Sequence, residues 1–92
     1  MKKPPVVLFP LGNIYASDKV KTQIPLGVVL DRLGLHASGN WGVVEKDNAL
    51  KNKKALKAQG LLLSVYSYQE VKFWIVTSED RSYTKILFPE EY

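Results

Sequence analysis

The chain has 92 residues, of which 46% are hydrophobic and 24% charged, and a formal net charge of +4. This size and composition are typical of a globular domain and too small for a second hydrophobic core, so we predict a single domain over residues 1–92. The absence of cysteine excludes disulfides and thiolate metal sites and suits a reducing cytosol. The mild positive charge permits anionic partners without requiring them.

The N-terminal part of the chain contains two short apolar runs. Residues 6–9 lie between two prolines, which predicts an edge strand or an extended arm. This run is far shorter than a signal-peptide core or a membrane span, so we predict a cytoplasmic protein with no membrane partner. After a turn at Gly12, residues 14–16 predict a second short strand, and Ser17 and Asp18 open a polar link.

Two helices are predicted in the middle of the chain. The first covers residues 25–33, with Pro25 in its first turn and Gly34 as the residue that ends it. Its apolar side chains recur at helical spacing on one face: Leu26, Val29, Leu30 and Leu33. The second covers residues 45–59, with acidic residues first, lysines later and Gly60 at its end.

The C-terminal third predicts three consecutive antiparallel strands over residues 61–68, 71–77 and 83–88. The hairpin turns are predicted at Gln69–Glu70 and in a polar corner over residues 78–82. The predicted fold is therefore α+β, with two helices packed on an antiparallel sheet centred on a C-terminal three-stranded meander. The predicted core is Leu26, Val29, Leu30, Leu33, Leu61, Leu63, Val65, Phe73, Ile75 and Ile86.

Three residues are candidates for catalysis. His36 is the only histidine, and because the pKa of a histidine is ordinarily near neutral it is the natural general acid or base. Arg81 could bind an anion through its guanidinium, and Asp80 could orient the histidine. The structural alternatives are ordinary ones, in which His36 caps the first helix and the polar corner closes a turn. One histidine and no cysteine exclude the usual zinc sites, and no phosphate-binding glycine loop is present, so we predict no metal and no cofactor.

A second set of residues could bind a macromolecule. Aromatic and polar side chains could form such a surface together with the lysines of the second helix. The aromatic and polar candidates are Trp41, Tyr66, Trp74, Arg81 and Ser82. The alternative for Trp41 is a core tryptophan whose neighbouring glycines permit close backbone approach. The alternative for the lysines is a solvated surface helix, since the helix has no arginine and no interleaved aromatic residue.

Several segments together resemble a known family. They are H-x-x-G-x-W-G from His36, Ser64-x-Tyr66, W-I-V-T-S-E-D-R-S-x-T from Trp74, and I-L-x-P-E-E-Y from Ile86. This combination resembles a family of small uncharacterised proteins encoded in bacterial genomes, plasmids and phage-like elements. The resemblance implies a bacterial, cytoplasmic setting and a link to mobile elements, and brings no activity with it. Asn40 stands where the family pattern has an aspartate.

Three functions agree with these residues. The first is a non-enzymatic module that binds a protein or nucleic acid in a mobile-element or host-defence process. The second is a small hydrolase or nuclease-like enzyme that uses His36 as acid or base and Arg81 as anion clamp. The third is a structural subunit that self-associates, for example as a homodimer, through an exposed sheet edge or an aromatic face. We favour the first, because a lone histidine is weak support for catalysis.

Overall fold

The computed structural model describes residues 7–92, which form three α-helices and one four-stranded sheet. In chain order the elements are β1 (Asn13–Ala16), α1 (Asp18–Gln23), α2 (Leu26–Ala37), α3 (Lys46–Ala58), β2 (Leu62–Tyr68), β3 (Val71–Thr77) and β4 (Tyr83–Leu87). A short 3-10 helix at Pro89–Glu91 follows β4. The predicted α+β class and the C-terminal meander are confirmed. None of the helices described is long and apolar enough to cross a membrane.

The strands lie in the order β1-β4-β3-β2. The β2–β3 and β3–β4 pairs are antiparallel, whereas β1 is parallel to β4, so the sheet is mixed rather than wholly antiparallel. The predicted first hairpin turn is confirmed at Gln69 and Glu70, whose φ angles are 48° and 68°. Two positive φ angles are typical of the type I′ turn, whose twist matches that of the flanking strands.

The N-terminal segment meets the sheet at β4. The strand predicted at residues 14–16 is confirmed as part of β1, and the Asn13 N–H donates to the Ser82 carbonyl at 3.0 Å. Gly12 makes this approach possible, because its φ is +66° and a Cβ there would lie 2.4 Å from the Ser82 carbonyl carbon. Of the two alternatives predicted for residues 6–9, the edge strand is not formed by residues 7–9, which have no regular secondary structure, whereas residue 6 lies outside the described part.

One face of the sheet carries the main core. Helices α1 and α2 cover this face, and the buried side chains from helices and sheet form one cluster: Val20, Ile24, Val29, Leu33, Tyr66, Phe73, Ile75, Ile86 and Phe88. A smaller cluster of Phe9, Ala55 and Leu62 joins α3 to the end of β2. The fold therefore has helices α1 and α2 over the sheet and α3 beside it.

Helix α1 occupies the segment predicted as a polar link. The Ser17 side chain accepts a hydrogen bond from the Val20 N–H at 3.1 Å, which makes Ser17 an N-cap. Val20 and Ile24 are buried on the inner side of this helix. With one apolar residue inside the six-residue helix and Ile24 just after its end, the segment has almost no periodic signal, and the predicted count of two helices was therefore wrong.

Helix α2 continues one turn beyond its predicted end at Gly34. It ends instead at Gly39, which has a φ of +87°. The Asn40 N–H donates to the Leu35 carbonyl and the Gly39 N–H to the His36 carbonyl, at 2.9 and 3.1 Å. This pair of bonds is the Schellman motif, in which a left-handed glycine ends the helix. The extra turn moves His36 from the predicted loop into the helix.

The predicted core was wrong at five positions. Leu26 and Leu30 of α2 are 71% and 57% exposed, because only the Val29 and Leu33 side of the helix meets the sheet. In β2 the buried side chains alternate in the opposite register to the prediction: Leu62, Ser64 and Tyr66 are buried, whereas Leu61, Leu63 and Val65 are exposed or partly exposed. A strand with apolar residues on both faces does not reveal which face is inside.

The outer edge of β2 is closed by side-chain and backbone bonds. The Asn52 side chain of α3 donates to the Leu63 carbonyl at 2.6 Å and accepts from the Leu63 N–H at 3.0 Å. Farther along the strand, the Val65 N–H donates to the Trp41 carbonyl, and the Val43 N–H donates to the Val65 carbonyl. These bonds satisfy edge groups that would otherwise be free to pair with another strand.

Candidate functional site

His36 lies in the last turn of α2 with none of its surface exposed. Its Nδ1 is 2.5 Å from the Ser64 hydroxyl and its Nε2 is 2.8 Å from the Thr77 hydroxyl. Ser64 and Thr77 project from β2 and β3 on the sheet face that α2 covers. The only histidine is therefore wedged between helix and sheet, with both ring nitrogens bonded.

The chain of hydrogen bonds through His36 has one consistent direction. The Thr84 hydroxyl donates to the Leu11 carbonyl at 2.7 Å, so it must accept from the Thr77 hydroxyl, also at 2.7 Å. Thr77, having donated its one proton, accepts from the Nε2–H of His36. In the neutral ring Nδ1 is then an acceptor, and the Ser64 hydroxyl donates to it. These bonds fix the Nε2–H tautomer, and every N–H and O–H donor in this series of hydrogen bonds has an acceptor.

The surroundings of His36 favour the neutral ring. Burial, and secondly the charge of Arg81, lower the pKa of His36 to about 4. Removal from water penalises the imidazolium, and no carboxylate bonds to either nitrogen to offset that penalty. A general acid or base needs access to substrate and a pKa near the working pH. His36 has neither, so the geometry gives no support to the catalytic role that the sequence suggested.

Two aromatic rings, those of Phe9 and Trp41, close the site above His36. The Phe9 ring meets the His36 ring edge to face at a centroid distance of 5.2 Å, and the Trp41 ring meets it at 5.8 Å. Phe9 and Trp41 are stacked on each other with centroids 6.2 Å apart. Residues 7–9 therefore supply a buried phenylalanine to this cluster.

Arg81 reaches the same cluster from the polar corner. Its guanidinium carbon lies 5.6 Å from the centre of the Phe9 ring, on the ring that also contacts His36. His36 and the polar corner thus converge on Phe9, and this buried ring contacts both the histidine ring and the Arg81 guanidinium.

The guanidinium of Arg81 binds carbonyl groups of the chain itself. One terminal nitrogen donates to the Gly60 and Ser78 carbonyls at 2.6 and 2.8 Å, and the other donates to the Ala55 carbonyl at 2.8 Å. Ala55 and Gly60 are at the C-terminal end of α3, where free carbonyls and the helix dipole favour a cation. Arg81 is therefore a cap for α3, a use of the fork-shaped guanidinium that the sequence did not indicate.

Asp80 and Ser82 close the turn between β3 and β4. The Asp80 carboxylate accepts from the Ser82 hydroxyl at 2.6 Å, from the Ser82 N–H at 3.0 Å and from the Ser78 hydroxyl at 2.9 Å. These bonds, led by that of the Ser82 side chain, lower the pKa of Asp80. Asp80 does not bond to His36, so the predicted catalytic set does not assemble. The structural alternative, a turn closed by its own side chains, describes this segment.

The predicted binding aromatics lie in three different places. Tyr66 is buried and its hydroxyl donates to the Asn40 carbonyl, and burial raises its pKa. Trp74 lies on the opposite sheet face from Phe73 and contacts Tyr92 at a centroid distance of 5.3 Å. Only Trp41 adjoins the lysines of α3. The predicted five-residue surface is thus divided among the core, a turn and both sides of the sheet.

An apolar groove of about 480 Å³ runs between α3 and the turn that ends α2. Leu50 is 58% exposed at its rim and Leu8 49% exposed on the opposite side. The groove is lined by Leu8, Ser38, Gly39, Trp41, Lys46, Ala49, Leu50, Lys53 and Leu56. It is the one place where a predicted binding aromatic and predicted basic residues meet.

The charge of α3 is concentrated on its outer side. The helix has five lysines and one aspartate, a formal charge of +4 that equals the net charge of the whole chain. All five lysines are exposed, whereas Asn52 and Ala55 are buried against β2 and its flanking turn. The lysines therefore share the solvent-facing half of the helix.

The residues that sequence reasoning missed are Phe9, Asn52 and the hydroxyls bonded to His36. The hydroxyl residues carried a usable signal, because Thr77 continues the Phe73–Ile75 alternation that the sequence assigned to the core. A buried hydroxyl at the end of an apolar strand face needs a partner, and the only histidine was available as one. Phe9 and Asn52 showed no comparable signal.

The residues described here contain no cluster of three His, Asp or Glu side chains that could hold a metal ion. Comparison with known proteins finds no matching family model, no matching curated protein and no matching solved structure. The resemblance to small plasmid- and phage-associated proteins remains a prediction from the sequence motifs.

Proposed function

We propose that the chain is a non-enzymatic module that binds an anionic macromolecule through α3 and the groove beside it. The observation that carries this proposal is that two features occur together at α3. The formal charge of this helix equals the net charge of the whole chain, and an open apolar groove lies beside it. Cationic side chains next to apolar surface attract an anionic partner and add contact area once it is bound. The proposal keeps the bacterial, cytoplasmic setting and the link to mobile elements or host defence.

The three residues that were candidates for catalysis also support a non-enzymatic function. His36 is fully buried with both nitrogens bonded, and Arg81 is bonded to carbonyls at the end of α3. Asp80 is bonded within its own turn. A hydrolase would need these groups to face a substrate, so the non-enzymatic function is the better proposal.

Trp41 provides a direct readout, because it lines the groove and the chain has only one other tryptophan. In a Trp74→Phe background, poly-glutamate and the oligonucleotide dT15 serve as anionic probes, with Trp41 emission and anisotropy recorded. We expect both probes to change the emission, and we expect added salt to weaken binding because exposed charges are screened.

Two charge reversals on exposed lysines distinguish the α3 surface from general attraction. Lys46→Glu combined with Lys53→Glu should abolish the response, whereas the matched pair Lys19→Glu and Lys72→Glu, on α1 and β3, should keep most of it. Equal loss in both double variants would mean that net charge alone attracts the probes. No response to either probe in the parent protein would refute the proposal.

Self-association through β1 is a second candidate function, favoured by the open edge of that strand. Asn13 and Ser17 direct their N–H groups to β4, so the backbone groups of Ile14 and Ala16 between them point away from the sheet. Ile14 is also half exposed. A homodimer paired at β1 should become monomeric in Ile14→Lys when its mass is measured by light scattering after gel filtration. A monomeric parent protein would exclude this candidate.

A further inference from the structure

We propose that the occupant of the α3 groove is an acidic amphipathic helix of a partner protein. This inference rests on the proposed function and names the chemical class of the partner. It follows from the spacing of the lining residues, from the positions of the two lysines at the rim and from the chemistry of the groove floor.

The residues of α3 that line the groove form one helical stripe. Lys46, Ala49, Leu50, Lys53 and Leu56 have the spacing i, i+3, i+4, i+7 and i+10, which places them side by side along one face. Such a stripe is the surface that one helix presents to another when ridges pack into grooves. It extends for about 15 Å along the axis, the length of a partner helix of two to three turns.

The two lysines on this stripe determine the charge of the partner. Lys46 and Lys53 are separated by seven residues, about 10.5 Å along the axis, with exposed Leu50 between them. A partner helix with carboxylates at i and i+7 has the same spacing, and apolar side chains at i+3 and i+4 would then lie against Leu50. The remaining lysines of α3 add to the attraction without contributing to the groove.

Nucleic acid fits this groove less well than a helix. One face of the Trp41 ring is already occupied by the stacked Phe9 ring, which limits the stacking of a base. Helix α3 contains no arginine, the residue whose planar, fork-shaped guanidinium is best suited to nucleic-acid recognition. The lining of the groove also includes Ala49, Leu56 and Leu8, which suit aliphatic side chains rather than a sugar-phosphate backbone.

The test compares three probes of the full chain by Trp41 fluorescence in the Trp74→Phe background. The first is a 14-residue helical peptide with glutamates at i and i+7 and leucines at i+3 and i+4. The second has the same composition in an order without an apolar face, and the third is dT15. We expect the first peptide to bind at least ten-fold more tightly than the second and to remain bound at 0.5 M salt, where exposed charges are screened.

The variants Leu50→Asp and Leu26→Asp form a matched pair, because both replace exposed leucines on helices. Leu50→Asp should weaken the amphipathic peptide at least ten-fold, and Leu26→Asp should leave it unchanged. Equal affinities for the three probes, or equal effects of the two variants, would overturn this inference while leaving the proposed function in place. The absence of binding by all three probes would overturn both.

Discussion

The pH dependence of stability tests the account of His36 directly. Because burial lowers its folded-state pKa to about 4 from an ordinary value of 6.5, the unfolded chain binds a proton that the folded protein does not. Stability from this residue is complete above pH 6.5 and decreases as the pH falls toward 4. For these two pKa values, the free energy of unfolding should fall by ~1.3 kcal/mol between pH 7.5 and pH 5.5.

Urea denaturation at the two pH values measures this difference, and the window avoids most carboxylate titration. Asp80 and Glu91 have lowered pKa values, caused first by bonds from the Ser82 side chain and from the Phe88 N–H respectively, and they titrate at lower pH. His36→Gln removes the titrating ring and should lose the pH dependence. Because this variant also disturbs a buried network, the ring of the parent protein should be titrated by NMR, where the only histidine gives one unambiguous signal.

The NMR experiment also reads the tautomer. We expect the Nε2–H form at neutral pH, as the direction of hydrogen bonds from Thr84 through Thr77 requires. A ring that titrates near pH 6.5 would refute the burial argument, and so would a stability that is constant between pH 7.5 and pH 5.5. A proton on Nδ1 at neutral pH would contradict the assigned chain of bonds.

Two further predictions concern the backbone that surrounds the site. Arg81→Ala removes four guanidinium hydrogen bonds to carbonyls and should lower the free energy of unfolding by about 2–4 kcal/mol in urea denaturation, whereas Glu79→Ala, an exposed neighbour, should change it by less than ~0.5 kcal/mol. Equal effects would show that Arg81 does not stabilise the end of α3. Gly42→Ala should lower stability by more than about 2 kcal/mol, because φ is +71° and the new Cβ would lie 1.9 Å from the Val65 oxygen. Gly27→Ala is its control: nothing lies within 4 Å of the added methyl group, so it should stabilise α2 by ~0.5–1 kcal/mol. A stable Gly42→Ala protein would exclude the close approach to β2.

Local patterns predicted the elements whose signal comes from their own residues. The three C-terminal strands and α3 lie within two residues of their predicted bounds. The end of α2 was predicted one turn too early, because Gly34 and Gly39 are equally plausible stops in the sequence. Only the fold selects Gly39, since the extra turn brings His36 into reach of Ser64 and Thr77. Tertiary hydrogen bonds, which no local pattern contains, determine this boundary.

The face of β2 that points inward shows the same limit. By hydrophobicity alone, Leu61, Leu63 and Val65 form a better core face than Leu62, Ser64 and Tyr66. The second set is buried because its polar groups find partners: the Ser64 hydroxyl bonds to His36, and the Tyr66 hydroxyl bonds to the Asn40 carbonyl. Burial of a polar group is tolerated when it is bonded, and the partners are 28 and 26 residues away in the chain.

The candidate catalytic residues were identified by their rarity and chemistry, and the structure shows how each is used. His36, Asp80 and Arg81 have their hydrogen-bonding groups engaged by the protein itself, in a core network, a turn and a helix cap. A side chain that is satisfied internally cannot bind a ligand without breaking those bonds, which makes it a poor candidate for recognition. The lysines of α3 and the exposed leucine between two of them have no comparable role in the fold. Their arrangement beside the groove is the basis on which we propose a binding site there.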